Sequence, residues 1–114
     1  MQLEDNLNRF EKYCRENYIT LVLVYLPLID SFWLNELLIK LGENPEQYDT
    51  SHYEEIVKRY CEKRNLKLIN AKPVLKSYND KGIKLRFTFD AHYNKDANRV
   101  VGTYLIEEMF SMKN

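Results

Sequence analysis

Residues 18–26 read Y-I-T-L-V-L-V-Y-L, and Pro27 follows them. The run is aliphatic, rich in β-branched side chains, and carries no charge. A half-solvated strand alternates polar and apolar positions. This run does not, so it predicts a strand covered on both faces, as in the middle of a parallel sheet. Pro27 lacks the N–H that a ladder needs and ends the strand. Downstream, Asn65 turns the chain into a second short apolar segment at 66–70, expected as a parallel neighbour. Between the two, Ser51 and Glu54 form a capping box ahead of Tyr53, Ile56, Val57, Tyr60 and Cys61, which share one helical face. Strand, helix, strand is the βαβ unit with a right-handed crossover, so the fold class is α/β.

Outward from that unit, Leu3, Leu7, Phe10 and Cys14 lie four, three and four residues apart. They form one apolar stripe on a helix ending near Asn17. Residues 30–41 (D-S-F-W-L-N-E-L-L-I-K-L) predict a helix capped by Asp30 or Ser31 and stopped by Gly42. Residues 43–50 are a polar loop containing Asn44-Pro45. Pro73 suits the first turn of a short helix reaching Ser77, and Asn79-Asp80-Lys81-Gly82 reads as a turn. Ile83, Leu85, Phe87 and Phe89 alternate with Lys84, Arg86 and Thr88, which predicts an extended piece with one wet face. Asn94 is the expected N-cap of a last helix showing Ala97, Val100, Val101, Tyr104, Leu105, Met109 and Met112 along one side. With no internal repeat or low-complexity tract, residues 1–114 read as a single domain.

Composition narrows the function classes. Hydrophobic residues make up 45% and charged ones 30%, the balance of a globular chain with a modest core. Lys plus Arg equals Asp plus Glu at 17 each, so no net field favours phosphate backbones or anionic membranes, and a nucleic-acid partner is not expected. The longest apolar run, 18–29, is broken by Thr20 and Pro27 and is too short for a membrane span. The acidic, amphipathic start does not resemble a signal peptide, and no compartment is assigned. Cys14 and Cys61 read as reduced, buried thiols. Two His and two Cys without ligand spacing point to no zinc site, and no cofactor motif is present. His52 reads as a surface residue. Of the nine tyrosines, Tyr13, Tyr53, Tyr60 and Tyr104 fall on core faces, so most read as packing.

Chemistry concentrates at Asp90 and His92, two residues apart between the extended piece and the last helix. A carboxylate that accepts from one imidazole nitrogen fixes the tautomer and steadies the imidazolium formed when the other nitrogen takes a proton. The plain alternative is a turn-capping Asp beside a half-buried His. Residues 90–102 read D-A-H-Y-N-K-D-A-N-R-V-V-G after F-T-F at 87–89. This resembles the C-terminal block of SGNH (GDSL-type) hydrolases. Many bacterial members there read Asp-Gly-His-Trp-Asn, two variable residues, Gly-His and an apolar helix. Tyr93 stands for the aromatic and Asn94 for the Asn, while Ala97 and Asn98 replace the Gly-His. Residues 18–27 look like the family strand ending in Pro, and 54–64 like the helix after it. Residues 66–75 look like the strand and Asp-Leu-x-Pro segment, with Asn70-Ala71-Lys72-Pro73 in its place. The likeness covers roughly residues 15–110 by pattern and is specific in the 90–94 block.

The resemblance implies a partial three-layer, flavodoxin-like parallel sheet flanked by helices, the C-terminal half of such a domain. His92 would be the general base and Asp90 its orienter. The family's serine and oxyanion donors lie in N-terminal blocks without a counterpart before Leu3, so the chain is expected to be a fragment, a truncated product or a split partner, inactive alone. Ser31, in Leu28-Ile29-Asp30-Ser31-Phe32, is the one candidate nucleophile within the chain, although Ile29 stands where the sharp turn wants Gly. The implied function is an ester hydrolase or O-acyltransferase acting on acyl esters. The Asp-x-His spacing resembles members that move acetyl groups on envelope polysaccharides, making acetylated carbohydrate a substrate class. The alternative is a non-catalytic interaction protein on a truncated hydrolase fold. A strand apolar on both faces needs neighbours on both edges, so a homodimer or a partner supplying the missing strands is expected.

Overall fold

The two apolar runs do meet, over four residues each. In the computed structural model, which describes residues 2–27, 32, 34–47, 52–87 and 92–112 (side chains of 35 and 36 excepted), β1 (Val22–Tyr25) lies parallel to β2 (Lys67–Asn70). Val22 stands opposite Lys67 and Tyr25 opposite Asn70. Among the described residues the chain also forms helices α1 (Gln2–Glu16), α2 (Leu34–Lys40), α3 (His52–Arg64), α4 (Lys72–Asp80) and α5 (Lys95–Ser111), with a 3-10 turn at Pro45–Gln47. The chain is therefore α/β in coarse form, mostly helical around a small parallel sheet.

Four helix ends share one device. Ile19 N donates to Cys14 O at 2.8 Å, Glu43 N to Leu38 O at 2.8 Å, Leu66 N to Cys61 O at 2.9 Å and Ile83 N to Tyr78 O at 3.2 Å. Each bond spans a residue with positive φ: Tyr18, Gly42, Asn65 and Gly82. These are Schellman-type stops, in which a left-handed residue lets the following N–H reach back to an orphan carbonyl. Gly42 thus ends α2 as expected. Gly82 lets α4 run on to Asp80, beyond the expected stop at Ser77, with Lys76 Nζ and Asp80 paired at 2.9 Å along it.

The core lies where α4 and α5 meet: Ala71, Leu75, Leu85, Ala97 and Val101 are buried, with Phe32, Val74, Tyr78, Tyr93, Val100 and Leu105 packed around them. A second contact holds α1 to α3. Asn8 Oδ1 accepts from Tyr60 OH at 2.9 Å and from Arg64 Nη2 at 2.8 Å. Cys14 and Cys61 are buried free thiols, and burial pushes the Cys61 thiol up, which keeps it protonated and unreactive.

Several expectations are corrected. β1 is not covered on both faces: Val24 is 40% exposed and Leu26, just past the strand, 52%, and among the described residues the sheet has two strands. Of the piece expected to be extended, residues 83–87 are described, and they form no regular strand. Leu85 is buried, but Phe87 is exposed, and among the described residues the pairing here is one antiparallel bridge between Arg86 and Tyr93. Phe10 and Tyr13 on α1 and Tyr53 on α3 are exposed, since those helices meet through Asn8, Tyr60 and Arg64 rather than through full apolar stripes. The expected caps Asp30, Ser31 and Ser51 lie outside the described residues. Among those described, no helix is long and apolar enough to cross a membrane.

The sparse core leaves an extended molecule. Its radius of gyration is 16.4 Å, where about 13 Å is usual for this length. Its accessible surface is 8657 Å², where roughly 6600 Å² is usual for a monomer of 13.8 kDa.

Candidate functional site

In α/β proteins, side chains from the carboxyl ends of parallel strands converge with the amino ends of the following helices, and ligands bind there. Here Tyr25 and Asn70 are the last residues of β1 and β2 and stand opposite each other. Glu54 lies in the first turn of α3, and Lys72 opens α4. Asn70 Nδ2 donates to Glu54 Oε2 at 2.6 Å, and Lys72 Nζ donates to Glu54 Oε1 at 3.0 Å. Asn70 Oδ1 accepts from the Lys72 backbone N at 3.0 Å. Both carboxylate oxygens thus have a donor, and the cluster ties the end of β2 to the starts of α3 and α4.

Burial alone would raise the Glu54 carboxyl. The hydrogen bonds from Asn70 and Lys72, with the charges of Lys72 and Lys58, outweigh it and hold the group below its ordinary 4.5. A depressed carboxyl contributes stability that is present above its unfolded value and lost as pH falls through its folded one. Stability should therefore decline from about pH 4.5 downward. Urea midpoints of the wild-type chain and Glu54→Gln against pH should converge on the acid side. Parallel curves down to the lowest pH would show that Glu54 is not the group responsible.

The same end of the sheet gathers two phenols. Burial raises the Tyr25 hydroxyl, the Glu54 charge adds to this, and Lys72 works against it. Burial, with a smaller contribution from Tyr25, pushes Tyr93 up to about 12. Tyr93 OH donates to the carbonyl of Pro27, just past β1, and so docks the loop before α5 onto the carboxyl end of the sheet. That loop is held on its other side too. Phe87 N donates to His92 O at 3.4 Å, and Asn94 N to Leu85 O at 3.0 Å.

Asn94 caps α5 as expected: its Oδ1 accepts from Ala97 N at 2.9 Å. Its Nδ2 donates to Lys84 O at 2.8 Å and Arg86 O at 3.4 Å, so one side chain joins the helix start to the preceding segment. Asn94→Ala should destabilise the chain by about 2 kcal/mol, and Asn94→Asp, which keeps the cap acceptor and loses the amide donor, by about 1 kcal/mol. Urea denaturation of the three proteins checks the order. Equal losses in both variants would assign the whole effect to the amide.

His92 stands exposed beside this loop. Asp90 and Ser31 lie outside the described residues. The residues missed in the sequence are Glu54, read as a cap, Asn70 and Lys72, read as part of a substituted family segment, and Tyr25, read as strand filler. The available signal was position: Tyr25 and Asn70 are the last residues of their strands. His52 is exposed and packs edge-on against Tyr53 at 5.3 Å between ring centroids. Among the described residues, no three His, Cys, Asp or Glu are grouped to hold a metal ion. A separate groove of about 270 Å³ between α4 and α5, lined by Val74, Tyr78, Ile83, Arg99, Tyr104 and Glu107 among others, contains none of the strand-end groups. Comparison with family models, with curated proteins and with solved structures finds no match.

Proposed function

We propose that this chain is an assembly unit, one part of an α/β domain whose sheet is completed by strands from another polypeptide segment. The observation that carries this is β1 itself, a strand of central-strand composition with one strand neighbour among the described residues, where Val24 and, just past the strand, Leu26 meet solvent. Surface area supports it. The 8657 Å² exposed is about 2000 Å² above the roughly 6600 Å² usual for this mass, while a stable interface buries about 800 Å² per partner. Sedimentation equilibrium should show species heavier than the 13.8 kDa chain, or a monomer that binds a hydrophobic dye strongly. A monomer at high concentration without dye binding would sink the proposal.

A second reading makes the completed domain an ester hydrolase or O-acyltransferase of the SGNH kind, acting on acyl esters or acetylated carbohydrates. It is favoured by the Tyr93 to Pro27 hydrogen bond, which brings the His92 loop to the carboxyl end of β1. In this reading His92 takes the proton from a serine hydroxyl as that oxygen attacks the ester carbonyl, and Asp90 orients the imidazole. Collapse of the tetrahedral intermediate expels the alcohol, which regains the proton from His92. Water or an acceptor hydroxyl then takes the acyl group. The serine comes from the completing segment, with Ser31 as the candidate inside this chain. Hydrolysis of p-nitrophenyl acetate by the assembled protein should fall at least about 1000-fold in His92→Ala. Equal turnover in wild type and variant would remove the catalytic reading and leave the assembly one standing.

A further inference from the structure

We infer that the outer edge of β1 is a self-association surface, on which a second copy of this chain lays its own β1 antiparallel across a twofold axis at Val24. The sheet then runs β2, β1, β1 of the copy, β2 of the copy. This rests on the assembly reading above and names its partner.

Backbone geometry selects the edge and the register. Tyr25 O accepts from Ala71 N at 3.0 Å, so Tyr25 turns its peptide groups toward β2. Along a parallel strand these groups alternate, so Leu23 also faces β2, while Val22 and Val24 turn theirs outward. Leu26, the residue after β1, continues this alternation when the strand is extended by one residue in the pair. Among the described residues, no strand pairs with β1 on that side. A twofold axis at Val24 sets Val24 against Val24 and Val22 against Leu26. Each of these pairs has outward N–H and C=O groups, so each can exchange two hydrogen bonds. Any register shifted by one residue would set outward groups against inward ones.

The side chains favour a copy as the occupant. Natural edge strands carry lysine, inward charge or proline that discourages pairing. No charged residue stands between Tyr18 and Ile29, and Pro27 comes only after the strand. β2 differs: its Lys67 is ion-paired to Glu108 of α5 at 3.4 Å. In the twofold register every cross-strand pair is apolar or aromatic–aliphatic (Leu23 with Tyr25), and no like charges meet. The arrangement is isologous and closes at two copies, so it does not propagate into a fibre. The excess surface of about 2000 Å² per chain exceeds the roughly 800 Å² that each side of a stable dimer buries.

The experiment is sedimentation equilibrium over a concentration series for the whole chain, Val24→Lys, Leu26→Lys and, as a control on another exposed apolar face, Met109→Lys. Wild type and Met109→Lys should sediment at twice the chain mass. The two edge variants should weaken the dimer at least about 100-fold with unchanged far-UV circular dichroism. Should either edge variant fail to fold, amide exchange on wild type decides. The Val22, Val24 and Leu26 amides should be protected at high concentration and exchange quickly on dilution. A dimer untouched by the edge substitutions, or those amides exchanging fast at every concentration, overturns the edge and leaves assembly through another surface intact. A wild-type monomer throughout overturns the self-association surface, and one that also binds no hydrophobic dye overturns the assembly reading with it.

Discussion

Leu75→Ala should destabilise the folded chain by about 3 kcal/mol, enough to lower its melting temperature by about 10–20 °C. Leu75 is 0% exposed and sits among Ala71, Leu85, Ala97 and Val101. Two of those neighbours are alanines, which cannot extend into the space a removed isobutyl group leaves, so the cavity stays open. The loss is large relative to the total. Stability of a domain is about 5–15 kcal/mol, and the largest fully buried side chains among the described residues are Tyr60, Ile69, Leu75 and Leu85. Leu75→Met, which conserves volume, should lose less than about 1.5 kcal/mol. Urea unfolding of the three proteins is the measurement. A Leu75→Ala loss below about 1 kcal/mol would mean that α4 and α5 repack around the gap.

Tyr60→Ala should be comparably severe, about 3–5 kcal/mol, and Tyr60→Phe close to 1 kcal/mol. The ring is 1% exposed, and the Arg64 guanidinium lies 3.9 Å from its centroid. Its hydroxyl donates to Asn8 Oδ1 at 2.9 Å, which fastens α1 to α3 across 52 residues of sequence. The alanine variant removes both the ring and the tether, so α1 should also become susceptible to limited proteolysis near Asn17. The phenylalanine variant keeps the packing and leaves Arg64 Nη2 still donating to Asn8, at 2.8 Å in the parent. Equal losses in the two variants would place the effect in the hydroxyl alone.

These two sites differ in how far they could be read in advance. Tyr60 falls on a helical face with Ile56, Val57 and Cys61, and local spacing is enough to mark it. Leu75 follows the helix-starting Pro73, but its full burial depends on α5 returning against α4. The candidate site divides the same way. Asn94 could be read as the cap of α5 because a cap is a local device: its side chain meets an N–H three residues on. The Glu54, Asn70 and Lys72 cluster joins groups 16 and 18 residues apart, and nothing in local spacing marks them as partners.

By itself the sequence determined the existence of the helices, the stop of α2 at Gly42 and the pairing of two apolar runs into one parallel βαβ unit, while α4 runs to Asp80 rather than stopping at Ser77. Helix faces, left-handed stop residues and strand composition all act within a few residues of where they are written. Only the tertiary structure decided how much of each face is covered. β1 has the composition of a central strand but, among the described residues, stands at an edge, because burial depends on which distant segments arrive beside it. Tyr93 is likewise local as an aromatic before a helix cap. The fold alone carries its hydroxyl to Pro27, 66 residues away, and so sets the His92 loop at the end of the sheet.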